Sequence, residues 1–489
     1  MIVERPGFRG RTDPSYVLAG GFGTSVAMWG LGFFLRMPGD WIPSPVILLA
    51  LLAVLVAGGF WVGRNTGLGA VAGGWTGALA SLINFLVLGS ILNDAAERGA
   101  PNVAIWLTGS LVLGFGLGTL GGWLGLRSTT SVAAGSGSAA SRISSEVQAA
   151  RASRVQEEPP AARTSRVESS EMPSDSASSA AKGRLLPSIW TSRFAWVAAA
   201  ATFLLLMVGG LVTSKNAGLA VVDWPNSYGY NMFLFPMSRM TGGVYYEHSH
   251  RLMGALVGLT TLTLATHLFR VDPRGSIRGL GVVAVLMVIG QGIMGGLRVT
   301  GRFTTSTSPA ETAPNLTLAL VHGVFGQLFF ATMIALAVFC SRGWWEAPAP
   351  RAHPDASKEH RWSALLIAVL VIQLVLGAIV RHTTAGLYLH LSWAVIVILL
   401  ALVVGMRASN LYPDLEKVRR TGKALVHLIG LQLLLGISAL LALVFAQGEP
   451  EPPAYEVAIA TAHQATGALL LACSVMLALW TRRLLDRPT

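Results

Sequence analysis

The sequence predicts an all-α integral membrane protein with about 12 transmembrane helices, in which four N-terminal helices precede a duplicated pair of four-helix bundles. Of its 489 residues, 52% are hydrophobic and 12% are charged, whereas soluble domains carry about 25% charged residues. Most of the apolar runs are close to the length of about 20 residues that crosses a hydrocarbon core. A sequence repeat within the C-terminal part of the chain predicts that this part forms two similar four-helix bundles.

The net charge of +12 is better explained by basic loops than by a nucleic-acid partner. No basic face or nucleic-acid motif accompanies the charge, and Lys and Arg cluster between alternate apolar runs, for example at 270–278 and 417–423. Loops of this composition face the cytoplasm. We therefore expect a multi-pass protein of the cytoplasmic (inner) membrane with both termini in the cytoplasm.

The chain divides into three regions. Residues 1–127 form an N-terminal four-helix transmembrane region of unknown function, whose spans contain no His and no acidic residue. Residues 128–187 are rich in Ser and Ala and cannot bury enough apolar area to offset their ordering entropy, which predicts a disordered cytoplasmic linker. Residues 188–489 form an eight-helix domain with halves at 194–341 and 362–482. Every candidate ligand lies in this domain, so we expect ligand binding to survive removal of residues 1–187.

The two halves of the eight-helix domain repeat each other. The segment G-G-L-V-T-S-K-N-A-G-L (Gly209–Leu219) matches G-A-I-V-R-H-T-T-A-G-L (Gly377–Leu387). Further along, a His, a Gln and a second His recur at an offset of about 140 residues. The matched pairs are His250 with His390, Gln291 with Gln432, and His322 with His463. Three matches at one offset indicate a duplicated four-helix unit.

The repeat places four histidines at one predicted membrane depth, toward the outer face: His250, His322, His390 and His463. Imidazoles inside a bilayer are usually functional, and two neutral imidazoles from neighbouring helices form the axial ligands of a heme iron. The alternative role is interhelical hydrogen bonding, which the two-fold symmetry disfavours. The remaining six histidines are predicted to be interfacial or solvated, and the two cysteines to be packing residues. They are His248, His267, His353, His360, His382 and His427, with Cys340 and Cys473.

The halves differ beside the first of these histidines. Glu247 lies one turn before His250, and Arg251 follows it, whereas Leu387 and Leu391 occupy the matching positions of the second half. Acid–base chemistry is therefore predicted in the first half alone. Alternatively, Glu247 and Arg251, four residues apart, form an ion pair that anchors the helix end.

Five motifs of this domain resemble heme A synthase in type, order and spacing over about residues 190–483. They are E-x-x-H-R at Glu247–Arg251, Gln-Gly…Gly-Gly at Gln291–Gly296, V-H-G at Val321–Gly323, V-R-H-T-x-A-G at Val380–Gly386 and A-H-Q-A-T-G at Ala462–Gly467. Two features depart from the family. Leu391 stands where members often have an arginine, and the chain lacks the outer-loop cysteine pair of one branch.

The resemblance implies roles residue by residue. His250 and His322 match the pair associated with the substrate heme, and His390 and His463 match the pair that ligates a heme B cofactor. Glu247 matches a carboxylate implicated in catalysis, with Arg251 beside it at the substrate site.

The implied reaction oxidises the C8 methyl group of heme O to the formyl group of heme A, which serves a heme-copper oxidase. Implied partners are heme O and heme A, an electron donor of ferredoxin-like or quinol type, heme O synthase, the terminal oxidase and a second copy of the chain.

Two other classes of membrane protein compete with this interpretation. A di-heme electron-transfer protein of the cytochrome b type would place its two ligand pairs at opposite membrane depths, whereas one depth is predicted here. A transporter with inverted repeats needs an odd number of spans in each repeat, whereas these repeats have four.

Overall fold

The computed structural model describes residues 14–39, 42–96, 104–129, 188–300, 315–383 and 385–488. Within these ranges, 12 helices are long and apolar enough to cross a membrane. The predicted class, an all-α multi-pass membrane protein, is confirmed. Most of the predicted linker, residues 130–187, lies outside the described residues, but its first two residues still belong to a helix.

The long helices have between 21 and 31 residues, which is more than the about 20 that cross a hydrocarbon core. They are α1 (Ser15–Leu35), α2 (Ser44–Thr66), α3 (Gly69–Ala96), α4 (Ala104–Thr129), α5 (Ile189–Ser214), α6 (Gly242–Val271), α7 (Gly275–Val299), α8 (Leu316–Cys340), α10 (Ala356–Thr383), α11 (Leu387–Asn410), α12 (Glu416–Phe445) and α13 (Ala454–Leu484). A four-residue helix α9 (Arg342–Trp345) links the halves. Two short strands, β1 (Arg351–Ala352) and β2 (Leu485–Asp486), pair in parallel.

The eight C-terminal long helices form two bundles of the same topology. Helices α5 to α8 pack in a closed ring, α10 to α13 do the same, and the rings join through α5 and α8 on one side and α10 and α13 on the other. Arg381 at the end of α10 donates to Ser214 at the end of α5 over 2.8 Å, and Ser214 lies 3.3 Å from Thr461 near the start of α13. The halves therefore run parallel, and all four predicted ligand histidines lie toward this end, called here the histidine end.

Helix α1 joins the N-terminal helices to the first bundle by packing along α5 and touching α6. The ring of Phe22 lies 5.3 Å from that of Phe194, and Phe33 stacks on Tyr245 at 5.4 Å. These side chains belong to one buried cluster that continues from α1 into the first bundle. Removing residues 1–187 would open an apolar face on that bundle, so survival of ligand binding after truncation stays a prediction.

At the opposite end of the bundles, the same pair of repeat positions makes a different polar contact in each half. Thr191 Oγ1 and Ser15 Oγ lie 2.9 and 3.1 Å from His267 Nε2 in the first bundle. In the second, Arg407 donates two hydrogen bonds, of 2.9 and 2.6 Å, to Glu359 Oε1. Thr191 matches Glu359 in the repeat, and His267 matches Arg407. The prediction that His267 is interfacial or solvated is wrong: it is buried, because α1 covers it.

Candidate functional site

The first predicted ligand pair is assembled in the structure. The ring centroids of His250 on α6 and His322 on α8 are 6.3 Å apart, with the ring planes at 79°. A metal–imidazole bond is about 2 Å long, and two such bonds with the rings themselves separate the centroids by about 6 Å. The observed spacing therefore fits one metal ion held between the two imidazoles.

The ring nitrogens of this pair leave a coordination position open. Nδ1 of each histidine is enclosed and has no hydrogen-bond partner in the described part of the chain, whereas Nε2 is neither enclosed nor hydrogen-bonded there. A buried polar nitrogen without a partner is uncommon and calls for a specific explanation. Nε2 is the atom available to a metal.

The second pair occupies matching positions but meets two glutamines. His390 and His463 also have enclosed Nδ1 atoms without a partner. The carboxamide nitrogens of Gln373 and Gln432 lie 3.4 Å from Nε2 of His390 and His463, respectively. In the first half, Gln291 donates to the main-chain oxygen of His322 instead. Ligation of a metal by the second pair would require both carboxamides to move.

A glycine on the preceding long helix faces each of the four imidazoles. A β-carbon placed on the glycine would come within 3.0 to 3.5 Å of Cε1 of the histidine. The pairs are Gly209 with His250, Gly295 with His322, Gly377 with His390, and Gly436 with His463. The glycines allow the close approach of each ring. At Gly209, Gly377 and Gly436, where the distance is 3.0 to 3.1 Å, a side chain would push against the imidazole, whereas the 3.5 Å at Gly295 is ordinary contact.

Glu247 is buried beside the first pair, and both of its carboxylate oxygens are engaged. Oε1 accepts a hydrogen bond from Arg251 over 2.8 Å, and Oε2 accepts one from the main-chain N–H of Val221 over 2.8 Å. The ion pair considered from the sequence therefore exists. It is largely buried, with side-chain exposures of 10% for Arg251 and 5% for Glu247.

Arg251 attaches the loop between α5 and α6, residues 215–241, which we call the cap loop. Its guanidinium donates to the main-chain oxygens of Val221, Asp223 and Asn226 over 2.7, 2.7 and 3.0 Å. Burial acts to raise the pKa of Asp223, but backbone N–H groups of Gly229 and Tyr228 outweigh it and hold that pKa below its usual value. The second half connects α10 and α11 by only three residues, 384–386, so the cap loop distinguishes the first site.

Two further histidine predictions need correction. His248 is fully buried, not interfacial: Ser227 Oγ lies 3.0 Å from its Nδ1, and its ring is 4.8 Å from that of Phe235. It anchors the cap loop on the helix face away from His250. The sequence also predicts an outer-loop position for His382, but this residue lies in the last turn of α10. His353, His360 and His427 are half-buried or exposed, as predicted, and Cys340 and Cys473 are buried free thiols.

The sequence reasoning missed the four glycines. A signal for them was present, since Gly209 recurs as Gly377 and Gly295 recurs as Gly436 in the same alignment as the histidines. The contacts of Arg251 with the cap loop gave no comparable signal in the sequence, because they join one side chain to main-chain atoms.

Two parallel four-helix bundles, each with a histidine pair at the same end, define a multi-pass helical membrane protein with two related ligand positions. Residues 192–391 match the family model described as cytochrome oxidase assembly protein (COX15-CtaA). Over these residues the resemblance to the heme A synthase family is confirmed. The match includes His250, His322 and His390 and ends before His463. No curated protein sequence matches the chain.

Proposed function

We propose that this protein is a heme A synthase-like oxidoreductase that converts the C8 methyl group of heme O to the formyl group of heme A. The observation that carries the proposal is the His250–His322 pair, whose 6.3 Å ring spacing suits one iron between two imidazoles. The pair lies within the segment that matches a cytochrome oxidase assembly family.

In this proposal the two histidine pairs have different tasks. His250 and His322 hold the substrate heme O, and His390 and His463 hold a resident heme B. When bound, the heme B iron supplies one-electron redox chemistry. The protein's own contribution is to fix each ring through the glycine opposite it and to cover the first site with the cap loop. The second site has no loop of this length above it.

Glu247 is proposed as the group that accepts a proton, or orients water, while the methyl group is oxidised. Its position one turn from His250, together with its burial, favours this role. Arg251 holds the carboxylate through Oε1, and the Val221 N–H holds it through Oε2. These contacts also attach the cap loop to the site. The proposed proton transfer and the covering of the site therefore depend on the same cluster, Glu247, Arg251 and Val221.

The remaining parts of the proposal concern location and partners. Basic loops between alternate helices support an inner-membrane protein with cytoplasmic termini and with the histidine end toward the outer face. The oxidation of the methyl group needs an oxidant that also supplies the oxygen atom: with O2 in that role, a ferredoxin-like protein or a quinol is proposed as the electron donor, with heme O synthase and the terminal oxidase as neighbours. A di-heme cytochrome b-type function is not favoured, because that class needs ligand pairs at opposite depths and these lie at one end.

The proposal is tested by producing the protein in membranes that contain heme O but have no other source of heme A. Extracted hemes are then identified by mass. We expect heme A to appear with the native chain and to be missing with an empty-vector control. Heme O that persists unchanged beside abundant, folded protein would reject the proposed reaction.

The glycine opposite His463 gives a separate prediction for the second pair. Gly436→Val should push against the imidazole, since even a β-carbon would meet Cε1 at 3.1 Å. Overpacking of this kind costs about 1–3 kcal/mol, which corresponds to about 5- to 150-fold in heme affinity. The heme retained through purification is measured by its absorbance. The control is Gly430→Val on the same helix, where a β-carbon meets nothing within 4 Å; equal loss in both variants would contradict the prediction.

A further inference from the structure

Arg298 stands at the end of α7 beside the first histidine pair. Its guanidinium packs against Gly218 at the start of the cap loop, where a β-carbon placed on the glycine would come within 2.5 Å of Arg298 Nη2. Its Nε is buried without a hydrogen-bond partner. In the part of the chain that the structure describes, no hydrogen bond satisfies this side chain.

The charge of Arg298 is not balanced by a neighbouring carboxylate. Among the described residues, none lies within ion-pair distance of it. Glu247 is near enough to interact at longer range, but that carboxylate is already paired with Arg251 over 2.8 Å. An enclosed charge without a compensating partner is costly and often functional. The position therefore calls for an anion that the described part of the chain does not supply.

The other groups around Arg298 are imidazoles, and among the described residues Glu247 is the carboxylate near enough to interact with it. The guanidinium of Arg298 is close enough to interact with the imidazoles of His250 and His322, and with His382 from the second half. His382 also lies near Arg381. The site thus combines two imidazoles positioned for a metal with an unpaired cation at their side.

We propose that Arg298, assisted by His382, binds a carboxylate of the heme held between His250 and His322. This inference rests on the proposed function. The propionates are the anionic substituents of a heme, and a planar guanidinium binds a carboxylate through two parallel hydrogen bonds. One propionate on Arg298 would fix the rotation of the porphyrin about the axis through the two histidines. That rotation decides which ring substituent faces Glu247.

The repeat restricts this anchor to the first site. Ala439 matches Arg298 in the second half, as Gly436 matches Gly295. His382 belongs to α10, so a residue of the second half lies beside the proposed substrate site of the first half. A substrate must be oriented for one methyl group to react, whereas a resident electron carrier needs no such selection.

The test compares two probes: heme, and its dimethyl ester, which keeps the iron and the ring but lacks the carboxylates. Both are titrated into the full-length chain carrying His463→Ala, so that the His250–His322 pair remains as the complete one. We expect the native Arg298 to favour heme over the ester, and Arg298→Gln to lower heme affinity about tenfold with little change for the ester. Arg298→Lys should restore part of the difference. Arg270→Gln, an exposed arginine in the last turn of α6 at the end opposite the histidines, is the matched control and should change neither affinity.

An unchanged ratio of heme to ester affinity in Arg298→Gln overturns the anchor, and so does an equal change in Arg270→Gln, since a general loss of positive charge would then explain it. If Arg298→Gln does not fold, His382→Gln carries the test, with a smaller drop in the same ratio expected and no drop overturning the inference. A titration unaffected by His250→Ala would instead reject the proposed heme site itself, which separates the two failures.

Discussion

Glu247→Gln is expected to abolish most heme A formation while heme B stays bound. The substitution keeps the shape and a hydrogen-bonding group but removes the charge and the capacity to take a proton. A positioned acid–base group contributes about 10²–10⁴-fold in rate, so heme O or a partly oxidised heme should accumulate. The measurement is the ratio of heme A to heme O extracted from membranes that carry the variant.

Arg251→Gln separates this role from a purely structural one. An exposed ion pair at a helix end is worth about 0–1 kcal/mol, but the Glu247–Arg251 pair is largely buried, and breaking a buried pair costs about 3–5 kcal/mol. Arg251 also donates to three main-chain oxygens of the cap loop, whereas Glu247 accepts from one N–H. If both residues only hold the loop, Arg251→Gln should do more damage than Glu247→Gln. Near-normal heme A with Glu247→Gln would end the catalytic assignment.

Alanine substitutions of the four histidines are expected to fall into two groups. His390→Ala and His463→Ala should remove the stably bound heme B, because each leaves an iron with one axial ligand. His250→Ala and His322→Ala should leave that heme in place and chiefly impair turnover of heme O. Absorbance spectra of the purified proteins and heme A content of the membranes measure the two effects separately.

The exposed His427 on α12 provides a control for this series, since His427→Ala removes an imidazole from the same domain without touching either pair. Its spectrum and turnover should match those of the native chain. The division of labour would be contradicted if all four ligand variants lost the same spectral signal.

Much of the fold could be predicted because its causes are local in the sequence. An apolar run of sufficient length must form a helix in lipid, where every backbone polar group has to be satisfied internally. The predicted number of about 12 transmembrane helices therefore agrees with the 12 long apolar helices among the described residues. The four predicted ligand histidines could be identified because the duplication repeats the same residue at a fixed offset.

The residues whose burial or role was not predicted correctly have one physical property in common: their surroundings are formed by distant parts of the chain. His267 looked interfacial because it lies near a helix end, but α1 packs over it from more than 200 residues away. His248 was predicted to be interfacial or solvated because it lies on a different helix face from His250. The cap loop buries it, and this loop is irregular backbone whose sequence has no periodicity from which the contact could be predicted. Arg298 gave no signal at all, since a single arginine at the end of an apolar run usually marks an interface.

The polar contacts at the end opposite the histidines give α1 different surroundings on the two halves of this protein. In the second half, Arg407 is ion-paired with Glu359. In the first, the matching residues Thr191 and His267 are in contact, and Ser15 Oγ of α1 lies 3.1 Å from His267 Nε2. Duplicated units that differ in this way resemble the subunits of a heterodimer joined in one chain, with α1 packed against one of them.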